Sequence, residues 1–317
     1  MRSLDVLVAG QVARDLVLTV PRMPDSRAAA RVGERRETLG GKGGNLAVAS
    51  AQLGQRVALL GVVGDDEIGR RLVARIETDG VDAAPIVCRT GTASGLVVRI
   101  HEDGGRWHQL EDLPPPVRLT AADAAHAQRW IEATRSVIIE LRQPSAAVSA
   151  LAQRARAAGC RIVLDGLPVD DGRRESLLRL TDVLRADHRA ARELTGDRLG
   201  TAEAGLREAR ALQRRGPRCV VLDIDGGTVF VWRDGHLVLP RLDVPIVDTA
   251  GAGAAFTATL IAAHNHGLPP HQCARWAVAA AAATAGHTGG RPRLTIEVLR
   301  HYLAQLDEQG ETGRLRR

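Results

Sequence analysis

Short apolar runs rich in valine, isoleucine and leucine alternate along the chain with longer stretches of helical periodicity. The apolar runs predict strands at Leu4–Ala9, Val57–Val63, Ser136–Leu141, Arg161–Asp165, Asp182–Arg185 and Cys219–Ile224. The periodic stretches predict helices at Asn45–Leu53, Asp66–Thr78, Ala121–Ala133, Ser145–Ala158, Thr201–Arg214, Ala252–His266, Pro269–Ala285 and Thr295–Leu306. Strands that are apolar on both faces and alternate with helices are typical of a parallel sheet covered on both sides. The pattern therefore predicts a doubly wound α/β fold.

Two stretches break this rhythm because their polar and apolar residues alternate with a period of two. They predict pairs of strands at Asp15–Val20 with Ala28–Thr38, and at Ser94–His101 with Arg106–Leu110. The strands of each pair lie too close together in sequence for a crossover helix, which predicts a small antiparallel sheet. We expect residues 1–317 to form a single domain whose small sheet, from about 15–38 and 94–110, is a lid over the large sheet.

The composition is that of an ordinary globular protein, with 317 residues, 44% apolar and 25% charged. A chain of this length buries enough surface to fold without disulfides. Its cysteines are widely spaced and form no CxxC motif, so we expect reduced core residues. The N-terminal apolar run contains Asp5 and is predicted to be a strand, and no apolar run approaches the length of a membrane span. These features predict a cytoplasmic protein without a membrane partner.

The net charge of +6 raises the question of nucleic-acid binding. The arginines are scattered and mostly lie beside acids, and the chain has only 4 Trp, 1 Tyr and 2 Phe to stack on bases. We therefore expect no nucleic-acid partner. Among the 43 basic residues, Lys42 is the only lysine, which draws attention to the segment around it.

Two glycine-rich turns each run into a predicted helix. The first, Gly40-Gly-Lys-Gly-Gly-Asn45, brings a cation and an amide to the start of a helix, where glycines allow a ligand to approach the backbone. The second, Asp248-Thr-Ala-Gly-Ala-Gly253, presents consecutive N–H groups at a helix N-terminus, which favours an anion. Neither is a Walker loop. Two such turns on one doubly wound sheet indicate phosphoryl transfer.

These residues resemble the ribokinase-like (PfkB) carbohydrate and nucleoside kinases. The resemblance extends over nearly the whole chain, through Gly10-Gln-Val-Ala-Arg-Asp15, Gly40-Gly-Lys-Gly-Gly-Asn45, Gly61-Val-Val-Gly-Asp-Asp66 with Gly69, Glu193-Leu-Thr-Gly196 and Asp248-Thr-Ala-Gly-Ala-Gly253. It implies a Rossmann-like domain with a β-lid that often forms a dimer interface, so we expect a homodimer through the lid. It also implies ATP as phosphoryl donor, Mg²⁺, and in some members a monovalent cation such as K⁺.

The resemblance also implies roles for individual residues. Contacts to the substrate hydroxyls fall on Asp15, Gly41, Lys42 and Asn45. The anion hole for the transferring phosphoryl group falls on Gly251, Ala252 and Gly253. Nucleotide contacts fall on Asp187, Asp223, Asp225, Gly226 and Gly227, and a monovalent cation falls on Asp248 and Ala250.

The chain departs from the family pattern at several of these positions. Ala254 stands where the family has the aspartate that removes the proton from the attacking hydroxyl. The family's Asn-x-x-Glu appears as Asp187-His-Arg-Ala190, and Asp223-Ile-Asp-Gly-Gly-Thr228 puts carboxylates where a polyphosphate would approach. The sugar-site asparagine is Ala13, and Arg142 replaces a glutamate often used for ribose. Ala254 is either an engineered change or natural, and the other departures favour a naturally divergent member.

Three functions are therefore weighed: an ATP-dependent kinase with impaired or altered catalysis, a pseudokinase that binds a sugar-like or nucleoside ligand, and a repurposed enzyme of the same fold. Arg142 could bind a carboxylate or phosphate of the acceptor, or form a surface ion pair with Glu140 or a neighbour. Asp165, at a strand end, could contact substrate or cap a turn. The carboxylates of Asp223 and Asp225 are expected to weaken the binding of metal-free ATP.

Overall fold

The computed structural model describes residues 2–196, 199–287 and 294–314. Its strands are β1 (Leu4–Ala9), β2 (Ala13–Val20), β3 (Glu34–Gly40), β4 (Val57–Leu60), β5 (Val62–Gly64), β6 (Val87–Arg89), β7 (Gly95–Glu102), β8 (Trp107–Asp112), β9 (Thr134–Glu140), β10 (Arg161–Asp165), β11 (Val183–Ala186), β12 (Cys219–Ile224), β13 (Gly227–Trp232) and β14 (Gly235–Pro240). Its helices are α1 (Lys42–Gln52), α2 (Glu67–Thr78), α3 (Ala121–His126), α4 (Gln128–Ala133), α5 (Ser145–Ala157), α6 (Arg174–Leu180), α7 (His188–Thr195), α8 (Ala202–Gln213), α9 (Ala252–Asn265), α10 (Pro270–Ala285) and α11 (Ile296–Arg314).

The central sheet has eight strands in the order β14-β13-β12-β11-β10-β9-β1-β4. The six strands from β12 to β4 in this order are parallel, and β13 and β14 are antiparallel additions at one edge. The chain leaves β1 toward β4 and later returns to β9 on the other side of β1. Open α/β sheets bind ligands at such a reversal, beyond the carboxyl ends of the strands. The predicted doubly wound α/β fold is confirmed.

Residues within each central strand contribute alternately to two apolar layers. In β1, Leu7 and Ala9 pack on the side covered by α3 to α8, whereas Val6 and Val8 pack on the side of α1, α2, α9 and α10. This explains why the central strands are continuous apolar runs. Among the described residues, none of the helices combines the length and the apolar character that a membrane span requires.

A second sheet has four strands in the order β3-β2-β7-β8. Its two hairpins, β2–β3 and β7–β8, are antiparallel as predicted. The first strands of the two hairpins, β2 and β7, pair with each other in the middle of the sheet, and this pairing is parallel. We call this four-stranded unit the small sheet.

The structure adds elements that the sequence pattern did not predict. The segment Asp223–Thr228 is the tight end of the β12–β13 hairpin, with Gly226 at φ 80°. The predicted helix Ala121–Ala133 is divided into α3 and α4 at Ala127. The two-stranded pairing of β5 with β6 also went unpredicted, as did α6 and α7.

Candidate functional site

A cleft of about 760 Å³ lies between the small sheet and the carboxyl edge of the central sheet. The N-termini of α1 and α9 both open onto it, as do the segments that follow β1, β9, β11 and β14. A volume of this size is within the range of small-molecule sites in proteins, roughly 300–1,000 Å³.

Most of the residues singled out from the sequence line this cleft. They are Asp15, Gly41, Lys42, Asn45, Arg142, Asp187, Asp223, Gly227, Asp248, Ala250, Gly251, Ala252, Gly253 and Ala254. Three others do not line it. Asp165 lies just behind the wall, in contact with Lys42, and Asp225 and Gly226 lie at the outer end of the β12–β13 hairpin.

Asp15 projects from β2 into the cleft and is 1% exposed. The Nη2 atom of Arg99 lies 3.3 Å from its Oδ2, whereas Oδ1 has no hydrogen-bond partner among the described residues. Burial raises the pKa of this carboxyl, and Arg99 and the backbone N–H of Gly41 partly oppose the rise. A Cβ at Gly40 would lie 2.0 Å from the Asp15 carboxyl, so the glycine is needed for the carboxylate to occupy this position. An unused acceptor oxygen is therefore held at the cleft wall.

The first glycine-rich turn packs α1 closely against the end of β1. Gly41 has φ 79°, and a Cβ there would lie 2.5 Å from the carbonyl oxygen of Gln11. That carbonyl accepts a hydrogen bond from the N–H of Gly44 at 3.1 Å. The helix begins at Lys42, whose Nζ lies 3.1 Å from Oδ1 of Asp165. The glycines thus fix the only lysine of the chain at a helix N-terminus facing the cleft.

The second turn forms the start of α9. Gly251, at φ 74°, precedes the helix. The N–H groups of the first turn have no partner within the helix, although that of Ala252 donates to the carbonyl of Thr249 at 3.3 Å. The turn before it is closed by the N–H of Ala250, which donates to Oδ1 of Asp248 at 2.8 Å. Ala254, 4% exposed, lies in the first turn and lines the cleft. This helix end offers hydrogen-bond donors and partial positive charge but no side-chain proton acceptor at position 254.

Arg185, near the carboxyl end of β11, was missed from the sequence. Its side chain is 5% exposed and lines the floor of the cleft. The guanidinium lies 2.8 Å from Asp223, 3.4 Å from Asp165 and 3.9 Å from Asp187. Burial opposes its charge, but these carboxylates outweigh that effect and hold its pKa above the ordinary value. The one signal in the sequence was a charged residue within an otherwise apolar strand, Val183–Ala186.

The arginine changes the interpretation of the two carboxylates expected to repel a polyphosphate. Asp223 is paired with Arg185. Asp225 does not line the cleft, and its Oδ1 lies 2.6 Å from Nε2 of His188, which does. Each carboxylate therefore has a basic partner that the sequence did not reveal. Because Arg185 is shared among three carboxylates, the weak binding of metal-free ATP expected from Asp223 and Asp225 stays a prediction.

Arg142 and Glu140 are only two residues apart in sequence but lie in different environments. Arg142 lines the cleft and pairs with Glu111 of the small sheet, so its partner is not Glu140. Glu140 is fully buried, and its Oε2 accepts the N–H of Gln11 at 2.7 Å, while Oε1 has no partner among the described residues. Burial raises the pKa of Glu140 in spite of the nearby Lys42.

The small sheet contributes one face to the cleft. From β7 come Val97, Arg99 and His101, and from β8 come Trp107, Gln109 and Glu111. These residues alternate along their strands, as expected for one face of a sheet. The alternation was visible in the sequence, but it did not indicate which of the two faces meets the cleft.

The opposite end of the cleft is apolar. Its lining there consists of Pro240, Leu242, Val244, Ile246, Phe256, Val278 and Ala282. Asp65 and Asp66 of the Gly61–Asp66 motif do not line the cleft: Asp65 accepts the N–H of Gly91, and Asp66 caps α2. The cleft therefore has a polar end at the small sheet and an apolar end beyond α9.

Replacing Glu140 by glutamine tests whether the buried carboxylate lowers the stability of the protein. Because the folded-state pKa of Glu140 is raised, the wild type loses stability relative to Glu140→Gln as the pH rises above about 4.5. By pH 8 we expect the variant to be more stable by on the order of 1–3 kcal/mol. Urea unfolding across this pH range measures the difference.

Asp5 provides the control for that measurement. Its hydrogen bond with Arg56 lowers its pKa, so Asp5→Asn should lose stability at neutral pH and recover toward wild type as the pH falls below 3.8. Parallel pH profiles for the two variants would contradict the assignment of the buried charge to Glu140.

Comparison with known proteins gives a consistent result. The family model for pfkB family carbohydrate kinases matches residues 3–296. The chain is 26% identical over 310 residues to the ribokinase of Haemophilus influenzae, covering 93% of this chain and 98% of that protein. It is 29% identical over 302 residues to the ATP-dependent ribose-1-phosphate kinase of Halopiger xanaduensis, covering 95% and 98%.

A longer relative and a solved structure add to this picture. The chain spans about half the length of the bifunctional ribokinase/ribose-5-phosphate isomerase A of Fructilactobacillus sanfranciscensis, with 27% identity over 259 residues covering 80% of this chain and 47% of that protein. The structure of Arabidopsis thaliana ribokinase complexed with ribose and ATP superimposes with a TM-score of 0.79 at 20% identity, covering 95% of this chain and 98% of that one, which shows the shared fold. The chain belongs to the pfkB family of carbohydrate kinases and has their ribokinase-like α/β fold.

Proposed function

We propose that this protein transfers the γ-phosphoryl group of ATP to a hydroxyl of a sugar or nucleoside, at a rate limited by Ala254. The observation that carries the proposal is the convergence of two helix N-termini, those of α1 and α9, on one cleft. Helix N-termini favour phosphate groups through their dipoles and free N–H groups. The relatives that share the family are named as kinases of ribose and of ribose 1-phosphate.

The acceptor would bind at the polar end. Oδ1 of Asp15 is an acceptor oxygen with no hydrogen-bond partner in the part of the chain that the structure describes, and Asn45, 5% exposed, adds an amide at the start of α1. Neutral hydroxyl groups suit such a mixed set of donors and acceptors better than an apolar ligand does. The acceptor hydroxyl would lie between these groups and the first turn of α9. We propose that the small sheet is a lid over this end.

The nucleotide would bind at the apolar end. Leu242, Val244, Ile246 and Val278 provide a surface against which a purine ring could pack. The triphosphate would extend from there toward Gly227, Asp223 and the N-terminus of α9. Asp225 and Gly226 lie outside this path and are not included in the proposal.

The residues fit a magnesium ion brought in by ATP better than a preformed metal centre. Among the described residues, no group of three or more His, Cys, Asp and Glu side chains could hold a metal ion. Mg²⁺ in kinases is usually held by phosphates and one or two carboxylates. Asp187, about half exposed at the cleft, would supply such a carboxylate, and the ion would neutralise phosphate charge. A K⁺ site at Asp248 and Ala250 stays a prediction.

The chain's own residues then account for most steps of the transfer. The N–H groups of Gly251, Ala252 and Gly253 would donate to the transferring phosphoryl oxygens, and Lys42 would add positive charge from α1. The transition state is loose, so positioning contributes more than activation of the hydroxyl. The hydroxyl proton would pass to water, since Ala254 cannot accept it. The absence of this base costs about 10²–10⁴-fold in rate.

The second candidate function is ligand binding without turnover, which Ala254 itself favours. A transfer assay separates the two. ATP is supplied with D-ribose, 2-deoxyribose, ribose 1-phosphate and a set of nucleosides, and the phosphorylated product is quantified directly. Slow, acceptor-dependent product formation is expected. Calorimetric binding of an acceptor with no product, even after prolonged incubation, would establish the binding protein instead.

A homodimer through the small sheet remains part of the proposal. The face turned away from the cleft carries Leu16, Leu18, Val98, Ile100 and Leu110, and Leu110 is 61% exposed. A second copy of the chain could cover these residues.

Replacing Arg142 by alanine and measuring ligand affinity tests whether the acceptor is anionic. Arg142→Ala is expected to weaken the binding of ribose 1-phosphate about tenfold and to leave D-ribose unaffected, because a guanidinium is worth more to a charged group. Arg189→Ala is the matched control, since Arg189 also lines the cleft and pairs with a carboxylate, Glu193. Equal affinities of the Arg142 variant and wild type for both ligands would assign Arg142 to its ion pair with Glu111 alone.

A further inference from the structure

We propose that Arg185 is a catalytic residue of this protein, a cation built into the central sheet that binds the phosphoryl group during its transfer. The proposal rests on the proposed kinase function and deepens it. Arg185 occupies the floor of the cleft, between the carboxyl ends of β10 and β12 and the first turn of α9.

Its distance from α9 places it beside the anion hole. A Cβ on Gly253 would lie 3.1 Å from Nη1 of Arg185, so the guanidinium is packed directly against the first helical turn. The same guanidinium lies 5.3 Å from the ring centroid of Phe256, one turn further along α9. A phosphoryl group bound by the N–H groups of this turn would therefore be within reach of the guanidinium.

The charges around Arg185 favour an exchange of partners. In the structure Nη2 pairs with Asp223 at 2.8 Å, while Nη1 and Lys42 share Oδ1 of Asp165. The Nε atom is buried and has no hydrogen-bond partner among the described residues. Arginine can bind a phosphate through two parallel N–H groups. Oxygens of the incoming phosphate would accept hydrogen bonds from Nη2, which now donates to Asp223, and from Nε, which has no partner among the described residues. Asp165 would keep its ion pair with Lys42.

The transfer balances with this assignment. A lone pair of the acceptor oxygen forms the new bond to the γ-phosphorus, the bond from that phosphorus to the bridging oxygen breaks, and ADP leaves with the electron pair. The proton of the acceptor hydroxyl goes to water. Arg185 takes no proton in this sequence and acts by charge and hydrogen bonding.

A purely structural ion pair is the alternative, and Arg185→Lys distinguishes the two. Lysine keeps one positive charge among the carboxylates but loses the planar fork. We expect kcat to fall about 10²–10³-fold while the acceptor KM changes by less than about threefold, as for the loss of one transition-state donor. Arg161→Lys, at the amino end of β10 and remote from the cleft, is the control and should leave kcat unchanged. An unchanged kcat in Arg185→Lys would overturn the proposal.

A binding measurement keeps the test independent of turnover. ADP with aluminium fluoride mimics the phosphoryl group in transit, and its affinity is compared with that of ADP alone. Arg185→Lys should lose the extra affinity conferred by the fluoride complex, and Asp223→Asn, which frees the guanidinium, should increase that extra affinity at least about fivefold. If Arg185→Lys fails to fold, Asp223→Asn alone decides, and no increase refutes the role of Arg185. Absence of transfer by wild type with every acceptor would refute the kinase function separately.

Discussion

Replacing Ala254 by aspartate is expected to raise kcat for phosphoryl transfer by about 10²–10⁴-fold. Position 254 lies in the first turn of α9 and lines the cleft, next to the N–H groups that would hold the phosphoryl group. An aspartate there would accept the proton of the attacking hydroxyl. Its negative charge is favourable at a helix N-terminus, which offsets part of the cost of placing a carboxylate at a position that is 4% exposed.

Ala254→Asn is the matched control because it has nearly the same shape but no carboxylate. We expect its kcat to stay within a few fold of wild type, while Ala254→Asp shows the increase with whichever acceptor binds best. Initial rates at saturating ATP and acceptor measure both. If the aspartate and asparagine variants behave alike, or if neither transfers phosphate to an acceptor that binds, then the loss of the base does not limit this protein.

The large elements of the fold were predictable because their sequence signal is local. The predicted bounds of β1, β10 and β12 coincide with the observed ones, since each is a short run of mostly apolar residues. The β13 and β14 strands were missed for a physical reason. Residues of β13 are buried on both faces, so the strand has no alternating pattern, and the glycine turn before it was interpreted as a nucleotide loop.

The residues of the candidate site likewise fall into those that could be predicted from the sequence and those that could not. Residues at the two glycine-rich turns could be predicted because close backbone approach requires the glycines, and because the only lysine of the sequence lies among those of the first turn. Arg185 could not be predicted, since its partner Asp223 is 38 residues away and only the adjacency of β11 and β12 brings them together. The contribution of the small sheet was hidden for a related reason: alternation reveals two faces, and only the packing of the sheet decides which one meets the cleft.

Asp15→Asn is expected to weaken acceptor binding roughly 10–150-fold, which corresponds to the 1.5–3 kcal/mol of a hydrogen bond to a charged group. The carboxylate of Asp15 is 1% exposed, and one of its oxygens has no partner among residues 2–196, 199–287 and 294–314, so a ligand hydroxyl would complete its hydrogen bonding. Asparagine fits the space left by Gly40 and keeps an oxygen for Arg99, but its uncharged oxygen accepts a weaker hydrogen bond. Calorimetry with D-ribose, or with the best acceptor of the transfer assay, measures the loss.

The same substitution should stabilise the empty protein, and this contrast identifies a binding residue. Because burial raises the pKa of Asp15, the ionised wild type loses stability as the pH rises above 3.8, and Asp15→Asn does not share this loss. At pH 7 the variant should therefore unfold at higher urea than wild type while binding acceptor more weakly. Asp65→Asn, outside the cleft lining and bonded to the N–H of Gly91, should leave acceptor binding unchanged. A variant at position 15 that lost both stability and binding would show that Asp15 supports the fold, whereas one that bound acceptor as well as wild type would place the acceptor elsewhere in the cleft.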